Sequence, residues 1–461
     1  MFSNNNRSIT YLGLFFFSTL LALSLYFWQE RVIMVDAAFQ IFCVIMQQTL
    51  AIQVERFSAA IVQFVPLLMV KNNVPLPTIL MTYSAAFVVY PMLAFVLLVA
   101  WVRNHRMGLA LILFFGLLQV HTFYWIQSEL IQGCVFSLFL LGLYSQWPRP
   151  KFGGGVAYAL LVVVVVYAHP LAVAALLFGL EYLYLDDARY RKAPCWYMLA
   201  FIVVVLGYKY FLAPLGDYDQ TAIAKANGLG NKLLHFFELQ SVESFFSRLI
   251  STYYLLLPAV VALMYLFVRE RLWLKLAWTM TAIVSWLVLI LTTHEWGAEQ
   301  LYIESFYLML GVFVGIPLAW DGWPRLPKWW LGPLLLVVVM SVRVGQIWEA
   351  RSTYVKRLEW NQAMLAKMEQ YPEQRFYIWQ KDVPMNLLQF TWGAAFESML
   401  LAGIKDQDHP KTLFIMDAGD KDPGYLIQLQ DVVPTKMGFF EYAKLQPYFP
   451  FHDNTPLRLL E

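Results

Sequence analysis

The chain has 461 residues, of which 60% are hydrophobic and only 14% charged, with a formal net charge of +2. An ordinary soluble protein carries about 25% charged residues, so the composition excludes that class. The Lys and Arg residues form no dense run or stripe, and no nucleic-acid partner is expected.

The first apolar run, Tyr11 to Trp28, is followed by no small-residue cleavage signature and reads as a retained span. A bilayer core takes about 20 apolar residues as a helix. By that measure eleven spans are expected, near 9–28, 79–102, 107–126, 130–146, 154–168, 171–185, 195–212, 249–268, 273–292, 301–320 and 329–346. The short fifth and sixth are separated at His169-Pro170, where a polar residue meets a helix breaker. The chain's 17 Trp, 35 Phe and 26 Tyr fit aromatic belts at the two membrane surfaces. The expected class is therefore an α-helical polytopic membrane protein with about eleven transmembrane helices.

Between the first two spans lies a loop at 29–78 that reads neither as a span nor as a soluble domain. Its apolar stretches are interrupted by Asp36, Gln40, Gln47, Gln48, Gln53, Glu55, Arg56 and Gln63. That spacing predicts amphipathic helices in the bilayer interface, one face in lipid and one on a polar cleft. Alternate connections carry Arg7; Arg103 and Arg106; Arg149 and Lys151; Arg189, Arg191 and Lys192; Arg269, Arg271 and Lys275; Arg325 and Lys328. The short connections of opposite parity carry none. The positive-inside rule then places the N-terminus in the cytoplasm, and the 29–78 loop, the 213–248 loop and everything beyond about 347 outside. Residues 1–346 form the transmembrane module on this reading. Residues 347–461 form a small α/β extracytoplasmic domain, because short alternating runs (RFYIWQ, TLFIMD, LIQLQDVV) surround a helical segment. Cys43, Cys134 and Cys195 have no metal-like spacing, and the GGG at Gly153 to Gly155 lacks the setting of a phosphate loop.

Ionisable residues recur at the outer ends of the spans. Asp36, Glu55 and Arg56 lie in the first loop, Glu129 follows the third span, and His169 separates the fifth from the sixth. Lys209 ends the seventh, Asp217 and Asp219 follow it, Glu304 lies inside the tenth and Arg343 ends the eleventh. Acids, bases and histidines converging on one end of a bundle predict a reaction site there. Each has a plainer reading too. Asp36 could cap a helix, Glu55 and Arg56 could pair locally, Glu129 could face water, and Lys209 and Arg343 could snorkel to lipid phosphates. An acid inside a span, like Glu304, is costly unless paired. His294, Glu295 and Glu299 are the metal candidates, although HEWGAE lacks the second histidine of a HExxH zinc helix.

An acid shortly after the first span, an amphipathic first outer loop, about eleven spans and a C-terminal outer domain together resemble the GT-C superfamily of integral-membrane glycosyltransferases. The chain looks most like poorly characterised bacterial members with a single acid in that loop. The resemblance maps residue by residue only at Asp36, which takes the place of the catalytic acid. The common double-acid form is absent, because Val35 and Ala37 flank it. What the resemblance implies is transfer of a hexosyl or pentosyl group from a polyprenyl-phosphate donor to a glycan, lipid or protein acceptor at the periplasmic face of a bacterial inner membrane. Asp36 would be the general base, with Arg56, Lys209 or Arg343 near the donor phosphate. No cofactor is required by this chemistry, and a divalent metal remains an option. An O-antigen polymerase or ligase, whose main outer loop usually comes late in the chain, and a lipid or solute transporter are the competing classes.

Overall fold

The computed structural model describes residues 2–212, 229–294, 301–417 and 423–460, and within them the chain is mostly helical. The α-helices up to residue 212 are α1 (Phe2–Tyr26), α2 (Trp28–Val32), α3 (Val35–Gln47), α4 (Ala59–Lys71), α5 (Leu76–Val96), α6 (His105–Leu118), α7 (Glu129–Gln146), α8 (Phe152–Ala168), α9 (Val173–Asp186) and α10 (Ala193–Gly207). Among the described residues seven helices are long and apolar enough to cross a membrane: Asn6–Tyr26, Leu76–Trp101, Glu129–Gln146, Ala193–Leu212, Trp273–Thr293, Leu301–Arg325 and Leu331–Met368. An eighth arises if Gln240–Ser251 and Leu256–Arg269, bent by 87°, form one broken span. These helices mark the chain as an integral membrane protein.

The remaining expected spans are helical but shorter. α6 has 14 residues, α8 has 17 and α9 has 14. α6 stops at Leu118 because Gln119 leaves the helical region and a single 3-10 turn, His121–Phe123, follows. The expected span at 107–126 therefore divides into a buried helix and an ordered corner.

α6 packs against the helix Met309–Pro317 at close range, since a Cβ added to Gly311 would lie 2.8 Å from the Phe114 carbonyl oxygen and 3.1 Å from its Cα. Backbone cannot step aside as a side chain can, so Gly311→Ala should part the two helices and cost about 1–3 kcal/mol. A thiol-reactive dye can read the loss, because Cys43, Cys134 and Cys195 are free and buried. An unchanged thermal midpoint in detergent would show that the helices separate freely.

At the end of the bundle where α6 begins, buried charges are matched. Lys275 Nζ lies 2.6 Å from Asp186 Oδ1 and 2.7 Å from Asp321 Oδ2, and Arg325 Nη1 lies 2.8 Å from Asp321 Oδ1. Trp320 Nε1 donates to Asp186 Oδ2 at 3.0 Å. Two acids thus meet two bases in a site that would not tolerate an unpaired charge.

The last bundle helix does not end where the apolar text does. Leu331–Met368 is one continuous helix of 38 residues, about 57 Å at 1.5 Å per residue. Beyond it lie β1 (Arg375–Trp379), β2 (Thr412–Met416), β3 (Val432–Thr435), β4 (Gly438–Glu441) and β5 (Arg458–Leu459). The first sheet has the order β2-β1-β5 with parallel pairing, Phe376 opposite Leu413 and Arg458; β3 and β4 form an antiparallel pair. The helix Ala394–Lys405 connects β1 to β2, as a parallel crossover requires. Of the expected strand runs, RFYIWQ and TLFIMD hold strands, while in LIQLQDVV the first half closes the helix Pro423–Gln428.

The C-terminal domain and the first loop share one core. Phe42 of α3 packs against Phe396, Phe440 and Phe449, with ring centroids 5.1, 5.3 and 5.5 Å away. Each such pair adds about 0.5–1.5 kcal/mol beyond its buried area. α3 is consequently covered by protein on the side that the sequence reading gave to lipid. α4 does keep an apolar stripe exposed, made of Ile61, Phe64, Val65 and Leu68 after Phe57. These recur at helical spacing, the pattern of an interfacial helix.

Candidate active site

α3 begins at Val35, so Asp36 stands in its first turn, on the wall of a cavity of about 610 Å³. The cavity lies between the bundle and the C-terminal domain. α3 supplies Asp36, Phe39 and Gln40; the link before α4 supplies Gln53, Val54 and Arg56; the corner before α7 supplies Trp125, Gln127 and Ser128. Glu129, His169, Tyr302, Ser305 and Phe306 complete the bundle side, and Phe390, Trp392 and Met437 the other. Asp36, Arg56, Glu129 and His169, spread over more than 130 residues of sequence, are thus brought to one cavity.

Asp36 is only partly exposed, and Trp125 Nε1 donates to its Oδ2 at 3.0 Å. Burial pushes the carboxyl up, the Trp125 hydrogen bond opposes this, the Glu129 charge raises it and Arg56 lowers it, leaving it at about 6. It is therefore ionised near neutrality, yet far more basic than an exposed aspartate. Glu129, by contrast, is saturated. Arg56 Nη1 meets Oε2 at 3.1 Å, while Gln127 and Gln40 donate to Oε1 at 2.7 and 3.3 Å. Gln63 on α4 extends this ladder, donating to Gln40 at 2.9 Å and exchanging bonds with the Ala51 backbone. The two acids differ in kind: Glu129 is fixed by three donors, and Asp36 is held by one side-chain donor among the described residues.

The basic groups gather around His169. Burial pushes its imidazole well below the ordinary value, and Arg56, Lys209 and His294 all push it the same way. The ring is neutral, with Nδ1 accepting the Leu171 N–H at 3.2 Å, which leaves the proton on Nε2. Lys209 is buried, its Nζ 5.0 Å from the centre of the Tyr167 ring. His294 stacks at a tilt on Phe306, centroids 4.5 Å apart. Glu55 has a left-handed backbone, is exposed and does not line the cavity.

Two expected pocket residues serve the backbone instead. Glu304 is fully buried and accepts from the N–H groups of Val120, His121 and Thr122 at 2.7, 3.0 and 2.8 Å, from the Thr122 hydroxyl at 2.7 Å and from Tyr253 at 3.0 Å. Arg343, also fully buried, donates to the carbonyl oxygens of Gly116 (2.9 Å) and Leu117. Arg31 donates to the Phe123 carbonyl and to Ser84 Oγ at 2.8 Å. A cation on the last carbonyls of α6 and an anion on the following amides complement the charge that each backbone end carries. Together they set the corner from which Trp125 reaches Asp36.

The C-terminal domain holds the other side of Asp36. Glu397 Oε1 accepts the Val35 N–H at 3.1 Å and Arg357 Nη2 at 2.5 Å, and its Oε2 accepts Asn361 Nδ2 at 3.1 Å. The approach needs Gly393, where a Cβ would lie 2.8 Å from Val35 Cα. Trp392 sits edge-on to Phe39, centroids 5.7 Å apart, on the cavity wall, whereas Trp379 packs in a separate small core.

Sequence reasoning missed Trp125, Gln40 and Gln127 as site residues. Gln40 had a signal, one helical turn after Asp36; Trp125 had none, since its aromatic neighbours are core. Asp217, Asp219, Glu295 and Glu299 lie outside the described residues. Among those described, no three His, Cys, Asp or Glu residues are grouped as for a metal ion. Comparison with protein-family models, with curated proteins and with solved structures finds no match to this chain.

Proposed function

We propose that this protein is a membrane glycosyltransferase of the GT-C kind that moves a sugar from a polyprenyl-phosphate donor to an acceptor hydroxyl. On this reading the chain crosses the membrane eleven times with its N-terminus in the cytoplasm. The Asp36 cavity then opens on the periplasmic side of a bacterial inner membrane. The observation that carries the reading is a basic carboxylate, Asp36, in a cavity that also gathers Arg56, His169 and, behind it, Lys209.

The chemistry follows from those groups. The bond between the anomeric carbon and the phosphate oxygen breaks, and its electron pair leaves with the phosphate. The acceptor oxygen bonds to the same carbon through an oxocarbenium-like state, and its proton passes to Asp36. A carboxyl near 6 keeps the base form at neutral pH and binds the proton more strongly than an ordinary aspartate. The positive field around His169, with its Nε2 proton as donor, favours the departing phosphate. Trp392 and Tyr302 offer ring faces and edges to the sugar or the acceptor. Glu129, occupied by Arg56, Gln40 and Gln127, positions Arg56 rather than acting as the base.

The test uses the purified full chain in lipid nanodiscs with a panel of polyprenyl-phosphate sugars and a membrane extract as acceptor source. The expected result is release of polyprenyl phosphate together with a new glycosidic product. Proteoliposomes that take up labelled solute, with no glycosidic product from any donor, would replace this reading with a transporter.

A further inference from the structure

A second polar cavity, of about 490 Å³, lies at the opposite end of the bundle. α7 relates the two: its first residue, Glu129, lines the Asp36 cavity, and its last, Gln146, lines this one. Eighteen residues separate them by about 27 Å, close to the thickness of a bilayer core. Arg103, His105, Arg106 and Arg189 line it, and among the described residues no carboxylate does. The nearby acids are already engaged, half-buried Asp186 by Lys275 and buried Asp321 by Lys275 and Arg325. Arg189 reaches Asp187 at 3.4 Å, with both side chains about half exposed, which leaves that pair weak. Asn104 is no part of the charge but sets the floor, donating to the Gly142 carbonyl at 3.0 Å and to Ser145 Oγ at 2.6 Å.

Beside the cavity lies a groove of different chemistry. Trp323 and Leu326 line both it and an adjoining space of about 560 Å³. That space is walled by Leu113, Leu117, Leu266, Leu335 and Val339 among other apolar side chains. A cationic chamber beside an apolar groove along membrane-crossing helices is complementary to an amphiphile with an anionic head. Arg favours phosphate oxygens through its planar fork of donors, and basic pockets between membrane helices hold phosphate-bearing headgroups.

We propose that this end of the protein binds an anionic glycerophospholipid, with its phosphate among Arg103, Arg106 and Arg189 and an acyl chain in the groove beside Leu335 and Val339. The site is separate from the Asp36 cavity and does not rest on the glycosyltransferase reading. Bulk anionic lipid is the occupant selected because the groove gives a tail somewhere to lie and the bilayer supplies such lipid at high local concentration.

The experiment exchanges the purified full chain into detergent with phosphatidylglycerol, with phosphatidylcholine of the same chains, with polyprenyl phosphate, or with soluble glycerol phosphate. Bound lipid is counted by native mass spectrometry and the thermal midpoint is recorded. Phosphatidylglycerol is expected to stay bound and raise the midpoint, whereas phosphatidylcholine and glycerol phosphate do neither. Removing each arginine should weaken retention about fivefold. Arg103→Asn is the first variant, because Arg103 has φ 60°, a conformation asparagine tolerates. Val339→Trp, which fills the groove and leaves every arginine in place, should also lose the lipid. Equal retention of the two glycerophospholipids would overturn the proposal, as would full stabilisation by glycerol phosphate alone, preference for polyprenyl phosphate, or unchanged retention in both variants.

Discussion

Asp36→Asn is expected to lower sugar transfer by about 10²–10⁴-fold, the range by which positioned acid–base groups accelerate reactions. Asparagine keeps the shape and can still accept the Trp125 N–H, so the fold and donor binding should persist. The fall should then appear in kcat, with KM for the donor little changed. The pH dependence gives an independent check. The folded-state carboxyl stands at about 6, above the ordinary aspartate value, so the base form is lost as pH falls through about 6. The wild-type rate should rise with an acidic limb near that value, and the residual rate of Asp36→Asn should lack it. Equal activity of the two proteins on a genuine donor would remove Asp36 from the mechanism.

Arg357→Ala should be the most damaging single change to stability. Arg357 and Glu397 are both nearly inaccessible, and their oxygen–nitrogen distance is 2.5 Å. Removing the guanidinium leaves a buried carboxylate supported, among the described residues, by Asn361 and the Val35 N–H, a loss of about 3–5 kcal/mol. The double variant Arg357→Met with Glu397→Leu removes both charges and should regain much of the stability. It should not regain transfer, because the acceptor for the Val35 N–H, next to Asp36, has gone. A thermal midpoint and a transfer rate on all three proteins separate the two roles. If the double variant is both stable and fully active, the Glu397 anchor does not position Asp36.

How much of this was visible beforehand depended on the range of the interaction. Helices stand at each expected span, because apolar runs of that length have few other ways to bury themselves. Asp36, Arg56, Glu129 and His169, which the charge bias assigned to one side, line one cavity, whereas Glu55, assigned to the same side, does not. Glu304 was read as a pocket residue because an acid inside an apolar run requires a partner, and Arg343 because a cation at a span end suits a donor phosphate. Most of their partners are backbone amides and carbonyls more than 180 residues away in sequence, and backbone carries no residue-specific signal. The covering of α3 was hidden for a similar reason. An apolar helix face reads the same against lipid as against Phe396 and Phe449.

The unbroken helix Leu331–Met368 bears on how a substrate reaches Asp36. It carries Arg343 in the bundle and Arg357 in the C-terminal domain, so a single rod joins the corner before α7 to the Glu397 anchor. A lid that swings away needs a hinge, and here the connecting element is an unbroken helix that carries Arg357 to Glu397. Lifting the domain would break the hydrogen bond from the Val35 N–H to Glu397. The domain above Asp36 is thus tied to the bundle at two separate points, through the helix that carries Arg343 and through the Val35 N–H.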